Sequence, residues 1–202
     1  MKDRPWFPVL YMFLVTAFFS SIVIGFATFT RDRIEANRQL DFEKSVLDVF
    51  GLAEGKSNAG IHEAFVGQIE RDDRLGVYVL KDGGRFALPL EGKGFWAPIK
   101  GMLGVSADGV TLLGISFFEQ NETPGLGGLI VTDKFRGQFA GKKLSTLERA
   151  IGIEPFGSEI GENQVHAISG ATQTCVRLEK IINDGVGAWR KKVSGRKADE
   201  PE

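Results

Sequence analysis

The first apolar feature of the chain is unbroken, since Pro5 to Thr30 carries no charged side chain over 26 residues. A helix needs roughly 20 residues to cross a hydrocarbon core of ~30 Å, so this run predicts a membrane-spanning helix. Pro8 falls in its first turn, where a missing N–H costs little. Trp6 and Tyr11 stand near one end, where amphipathic rings suit a lipid interface. Gly25-Phe26-Ala27 has the small-x-small form of a cleavage site. The run nevertheless exceeds the roughly 7–15 apolar residues of a signal peptide, and Arg31 and Arg33 close it. An uncleaved anchor over residues 1–31 is therefore expected, in contact with the lipid bilayer through residues 5–30. Lys2 and Arg4 flank one end, while Arg31, Arg33 and Arg38 flank the other, mixed with Asp32 and Glu35. These charges set no orientation.

The pattern then changes. Asp32 to Phe50 is polar with sparse apolar positions at Ile34, Leu40, Val46, Leu47 and Phe50, a helical spacing that Gly51 ends. Leu52 to Ala59 has linker composition, so residues 32–60 are expected to form a membrane-proximal helix and linker. From Ile61 onward short β-like runs alternate with turn residues. Val77–Leu80 and Arg85–Leu90 flank Lys81-Asp82-Gly83-Gly84, and Met102–Val105 and Val110–Phe118 flank Ser106-Ala107-Asp108-Gly109. Asp-Gly between such runs is a strong hairpin signal. Thr132–Ala140 reads as a helix, with Phe135 and Phe139 on one face. Cys175–Lys192 is the clearest helix, with Leu178, Ile181, Ile182 and Trp189 in one stripe and Lys191-Lys192 near its end. The prediction is an α+β domain over residues 61–193, a hairpin-built sheet with flanking helices, followed by a charged, disordered tail over 194–202.

Composition narrows the function. Among 202 residues, 25 Lys and Arg stand against 26 Asp and Glu, a formal charge of -1. No basic excess is present to neutralise phosphates, so no nucleic-acid partner is expected. A single cysteine excludes an intramolecular disulfide framework and a cysteine-based zinc site. His62 and His166 are isolated, with no metal spacing, and no metal is expected. Cys175 has no partner that would make it a nucleophile, and it reads as a packed thiol. No phosphate loop of the G-x-x-x-x-G-K-[ST] type exists. Gly125-Leu126-Gly127-Gly128 lacks the spacing and the βαβ setting of a dinucleotide fingerprint. Glycine, at 26 residues, exceeds the usual ~7%.

Two glycine-containing stretches carry candidate chemistry. The first is Glu119-Gln120-Asn121-Glu122-Thr123-Pro124-Gly125-Leu126-Gly127-Gly128, directly after an expected strand. A Pro-Gly turn followed by further glycines lets backbone N–H groups approach a ligand, though it also serves as an ordinary tight turn. The second is Ser169-Gly170-Ala171-Thr172-Gln173-Thr174, leading into the last helix. Small side chains and hydroxyls at a helix N-terminus suit a phosphate. The ordinary alternative is that Thr172 or Thr174 is only an N-cap.

Together these stretches resemble the covalent FMN-binding domain family. Its members include the C subunit of the Na+-translocating NADH:quinone oxidoreductase and the G subunit of the Rnf electron-transfer complex. The likeness rests on Ser-Gly-Ala-Thr before a helix and on Glu-Thr-Pro-Gly-Leu-Gly about 45 residues earlier. Gly92-Lys93-Gly94-Phe95-Trp96 and Gly114–Glu119 extend it, as does Asn37–Leu52. The Gly92–Gly101 stretch favours the reductase C subunit. The resemblance implies FMN joined covalently through its phosphate to Thr172, with Ser169, Gly170, Ala171, Glu122, Thr123, Gly125, Leu126 and Gly127 around the cofactor. It implies electron relay with no catalytic acid or base, in a sodium-translocating NADH:quinone reductase of the inner membrane. It further implies partner redox subunits, a flavin transferase during maturation, and a flavin domain on the periplasmic face.

The alternatives are the Rnf G subunit, acting between ferredoxin and NAD, and a membrane-tethered flavin or sensor module outside any pump. A domain without flavin is the third. Two positions depart from the family pattern: His166 replaces an aspartate six residues before the acceptor, and Gln120 stands where the reductase C subunit commonly has histidine. Leu126 and its glycines lead as flavin contacts. Trp96 reads first as a core tryptophan and second as cover for the ring. The glycine excess reads as backbone making room for a cofactor.

Overall fold

The computed structural model describes residues 6–81 and 83–199. It divides into two units, Met1–Gln39 and Leu40–Glu202. The first helix, α1 (Phe7–Asp48), begins in the former and ends in the latter. Where the pattern predicts an anchor and a separate helix from Asp32, the chain is helical without interruption. The charged residues from Arg31 to Arg38 are exposed and break no hydrogen bond of the helix. Within the apolar run, the hydroxyls of Ser21 and Thr28 donate to the carbonyls of Ala17 (2.7 Å) and Ile24 (2.9 Å). Such internal bonds satisfy these two hydroxyls in an apolar surrounding. α1 is long and apolar enough to cross a membrane.

In the second unit, Ser57 caps α2 (Asn58–Gln68), its hydroxyl accepting from the Gly60 N–H. Helix thus stands where linker and β-like runs are expected, because Ile61 and Ala64 bury one face against the end of α1. Five strands follow as an antiparallel meander: β1 (Ile69–Asp72), β2 (Val77–Leu80), β3 (Phe86–Lys93), β4 (Pro98–Val105) and β5 (Leu112–Glu119). Both expected hairpins are present, β2–β3 and β4–β5. Asp82 of the first turn lies outside the described residues. Gly109 closes the second turn at φ +70°. The Asp108 carboxylate accepts there from the N–H groups of Val110 and Thr111 and from the Thr111 hydroxyl.

Alternation along the strands assigns two cores. Leu88, Leu90, Ile99, Leu103 and Val105 meet Leu178, Ile182 and Val186 on one face. Ala87 and Met102 meet Val46, Leu47 and Phe50 from the end of α1 on the other. With both faces covered, the central strands read as near-continuous apolar runs.

After β5 come a loop, a short 3-10 turn (Gly127–Val131) and α3 (Asp133–Arg136). The helix predicted over Thr132–Ala140 is therefore brief, although Phe135 and Phe139 are both buried and meet edge to face at 5.5 Å. Two short strands, β6 (Gly152–Glu154) and β7 (Gln164–His166), pair in parallel and lead to α4 (Thr172–Asp199). The tail expected to be disordered from Ser194 continues this helix to Asp199, and residues 200–202 lie outside the described residues. The fold is mixed, an antiparallel sheet between helices, as the pattern predicts.

Candidate functional site

The Ser169–Thr174 stretch forms the entry to α4. Gly170 has φ +78°, the left-handed turn that reverses the chain into the helix and that side chains with a Cβ adopt at a cost. Ser169 and Gly170 are exposed and Ala171 is buried. Thr172, the first residue of α4, is exposed. Thr174 is not: it is 4 % accessible, and its hydroxyl donates to Glu122 Oε2 at 2.7 Å. The two threonines therefore differ in availability, a difference their spacing alone leaves open. An anion at Thr172 would meet the N-terminal N–H groups of α4 and the positive end of its dipole.

The approach to this entry is held from behind. The Gln138 side-chain amide brackets His166, its Oε1 accepting from the His166 N–H (2.8 Å) and its Nε2 donating to the His166 carbonyl (3.2 Å). The Ile168 N–H donates to Cys175 Sγ at 3.4 Å. Cys175 is buried, and burial pushes its thiol pKa up despite that bond. It is a packed thiol. A cavity of about 510 Å³ opens beside Ser169, walled by Leu129, Phe135, Phe156 and Ile168. His166 lines it as well, and its buried Nδ1 has no partner among the described residues.

The Glu119–Gly128 stretch is a compact turn beside α4. The Thr123 carbonyl accepts from the N–H groups of Leu126 (3.1 Å) and Gly128 (3.0 Å), and Gly125 takes φ +76°. Thr123, Gly125 and Leu126 are exposed. A Cβ on Gly170 would stand 3.1 Å from Leu126 Cδ2, so the two motifs adjoin. Gln120, the second departure from the family pattern, accepts from the Glu122 N–H at 2.8 Å.

Glu122 behaves unlike its neighbours. It is 5 % accessible, with Oε1 accepting from the Trp96 N–H (3.0 Å) and Oε2 from Thr174. Gly94 and Gly127 flank this carboxylate: a Cβ on either would stand 2.6 Å from Oε1 or 3.0 Å from Oε2. Close backbone approach at these glycines accommodates a protein side chain, where the sequence pattern suggests a cofactor. Gly92 is similar, since a Cβ there would stand 2.5 Å from Ile181.

Trp96 corrects a further expectation. It is 67 % accessible and lies outside the core, in edge-to-face contact with the exposed Phe95 at 4.9 Å. The Arg177 guanidinium of α4 lies 6.0 Å from the Phe95 ring. An aromatic pair thus stands open beside the start of α4. No local signal marks the Trp96–Glu122–Thr174 link, whose members are 26 and 52 residues apart in the chain.

This geometry is that of a helix entry able to take a phosphate, flanked by apolar and aromatic side chains. Residues 94–187 match the model of the FMN-binding domain. The C subunit of the Na(+)-translocating NADH-quinone reductase from Pasteurella multocida is 30% identical over 224 aligned residues, covering 86% of each chain. The chain belongs to this family of reductase C subunits. The corresponding C subunit from Vibrio vulnificus is 40% identical over 117 residues, which span 55% of this chain and 46% of that one. Among solved structures, the C subunit from Parabacteroides distasonis superposes with a TM-score of 0.67 at 22% identity, over 80% of this chain and 96% of that one. Shewanella oneidensis NqrC gives the same TM-score at 19% identity, over 81% and 99%. Membership of the family accounts for the fold and makes the chain an FMN-binding protein similar to subunits of a multi-subunit reductase.

Proposed function

We propose that this chain carries FMN joined through its phosphate to Thr172 and relays electrons as the C subunit of a Na+-translocating NADH:quinone oxidoreductase. The contrast between the two threonines carries the reading. Thr172 offers an exposed hydroxyl at the first residue of a 28-residue helix, whereas the Thr174 hydroxyl is buried and engaged with Glu122. A phosphoester at Thr172 would place its charge at the α4 N-terminus, where free N–H groups and the dipole favour an anion. Ser169, Gly170 and Ala171 leave that hydroxyl uncrowded, having small or no side chains.

Flavin chemistry, electrons accepted singly or in pairs, belongs to the cofactor, and the protein supplies position and electrostatics. Leu126, exposed next to Gly170, and the exposed Thr123 and Gly125 of the same turn are positioned to contact the ribityl chain or ring, and Gly127 allows that turn to lie close to α4. No side chain here is assigned as a catalytic acid or base. A flavin transferase forms the ester during maturation, and other redox subunits supply NADH oxidation, quinone reduction and the ion path. The charge-free segment, residues 5–30, holds the chain in the inner membrane, and the flavin domain faces the periplasm.

The test is mass measurement of the full chain co-produced with a flavin transferase. The wild type should gain one FMN-sized increment, which Thr172→Ala should abolish and Thr174→Ser should keep. An increment that survives Thr172→Ala would place the ester elsewhere. A colourless, unmodified wild type would overturn the reading altogether.

A further inference from the structure

Glu122 sits where three segments of the candidate site meet. One carboxylate oxygen takes the Trp96 N–H at 3.0 Å, in the turn closed by the Gly94 N–H on the Ala97 carbonyl (2.9 Å). The other takes the Thr174 hydroxyl in the first turn of α4 at 2.7 Å. Its own backbone belongs to the turn that carries Leu126. Glu122 is shielded from solvent, and Gly94 and Gly127 have no side chain at the two points where a Cβ would press on its carboxylate. Shielded from water, hydrogen bonds to this side chain meet little competition from solvent. Breaking them in a buried place leaves a donor unsatisfied. The aromatic pair they restrain is exposed, 67 % for Trp96, so packing alone does not hold it.

From this we propose that Glu122 is a positioning residue for the flavin. It fixes the Phe95–Trp96 turn against the first turn of α4, so that the aromatic pair covers a flavin held on Thr172. The inference rests on the function proposed for Thr172 and adds to it the group that sets the cofactor's aromatic environment. Glu122 acts through Trp96 and touches neither the phosphate nor the acceptor hydroxyl. Attachment and cover are therefore separable.

The experiment compares full-length wild type, Glu122→Ala, Glu122→Gln, Trp96→Leu and the double variant Glu122→Ala/Trp96→Leu, each co-produced with a flavin transferase. Mass reports attachment and flavin emission reports aromatic cover, since a stacked indole quenches the flavin. Trp96→Leu should raise emission by roughly two- to tenfold, the change in the ratio of stacked to unstacked flavin when one aromatic contact is lost. Glu122→Ala should raise it by a similar factor with the mass increment retained, and the double variant should add nothing further. Such non-additivity is the signature of two residues acting through one interaction. Glu122→Gln keeps an acceptor for Trp96 and an amide for Thr174, and should stay near the wild type.

Emission unchanged in a flavinylated Glu122→Ala, or an additive rise in the double variant, would overturn the proposal and leave the Thr172 reading intact. If Glu122→Ala fails to fold, Thr174→Val removes one of the two restraints, and it should show an intermediate rise with the increment kept. Wild-type emission from Thr174→Val would then overturn the proposal. A wild type without the increment would overturn the Thr172 reading, and the inference with it.

Discussion

Threonine and glutamate positions on α4 show how burial decides what a side chain can do. Thr172 and Thr174 are chemically alike and two residues apart, yet one faces solvent and the other donates to a shielded carboxylate. Further along the helix, Glu179 takes a bidentate ion pair from Arg149, at 2.8 and 2.9 Å, and the Ile153 N–H at 2.7 Å. Asn183, one turn on, bonds both the N–H and the carbonyl of Ile151. Burial pushes the Glu179 carboxyl upward, but the hydrogen bonds from Arg149 and Ile153 and the guanidinium charge outweigh it. The net pKa lies below the usual glutamate value.

A carboxyl depressed in the folded state contributes stability above its unfolded pKa and loses it as pH falls through the folded value. Glu179→Gln should therefore lower the denaturation midpoint at pH 7. Its difference from wild type should close as the pH falls below the ordinary glutamate range and through the depressed folded value. Chemical denaturation from pH 7 into the acid range is the measurement, and a gap that stays constant would assign the loss to packing. None of these pairings is visible in the sequence, where Arg149 and Glu179 are 30 residues apart. The acceptor motif is visible because its small residues are contiguous.

The elements best foreseen are those whose signals are local. Both hairpins occur where Gly-Gly and Asp-Gly interrupt apolar runs, and α4 follows its apolar stripe. In the β4–β5 turn, Gly109 combines φ +70° with a Cβ site 3.4 Å from Trp189. Gly109→Ala should cost about 1–2 kcal/mol through the left-handed conformation alone, read as a lowered midpoint in chemical denaturation. A change below about 0.5 kcal/mol would show that the turn relaxes freely. The elements less well foreseen are set by what they pack against. α2 forms in a linker-like, glycine-containing stretch because the end of α1 and the sheet bury Ile61 and Ala64. α3 gives way after Arg136 to tighter turns, the Gln138 N–H donating to the Phe135 carbonyl and the Phe139 N–H to the Arg136 carbonyl, as Phe139 turns into the core.

At the scale of the molecule, charge-free and mixed-charge segments divide the work. The apolar part of α1 is exposed, which in water would be costly and in a bilayer is favourable. The full chain should therefore stay with the membrane through alkaline carbonate extraction, whereas a chain beginning at Leu40 should be released. Release of the full chain would show that α1 does not span the bilayer. Within the second unit, the sheet is covered on both faces, by α4 and by the end of α1 with α2, so the helix that leaves the apolar segment also completes the domain's core.

The sequence by itself determined the charge-free segment, the two hairpins, the α4 stripe and the Ser-Gly-Ala-Thr entry. Each is written in consecutive residues, and local sterics and periodicity suffice to read it. Only the tertiary structure decided that Thr174 is occupied while Thr172 is open, that Trp96 is exposed, and that Gly94 and Gly127 leave room for Glu122. Those outcomes depend on groups brought together across 26 to 52 residues of chain, and no local rule encodes which buried acceptor a distant donor will meet.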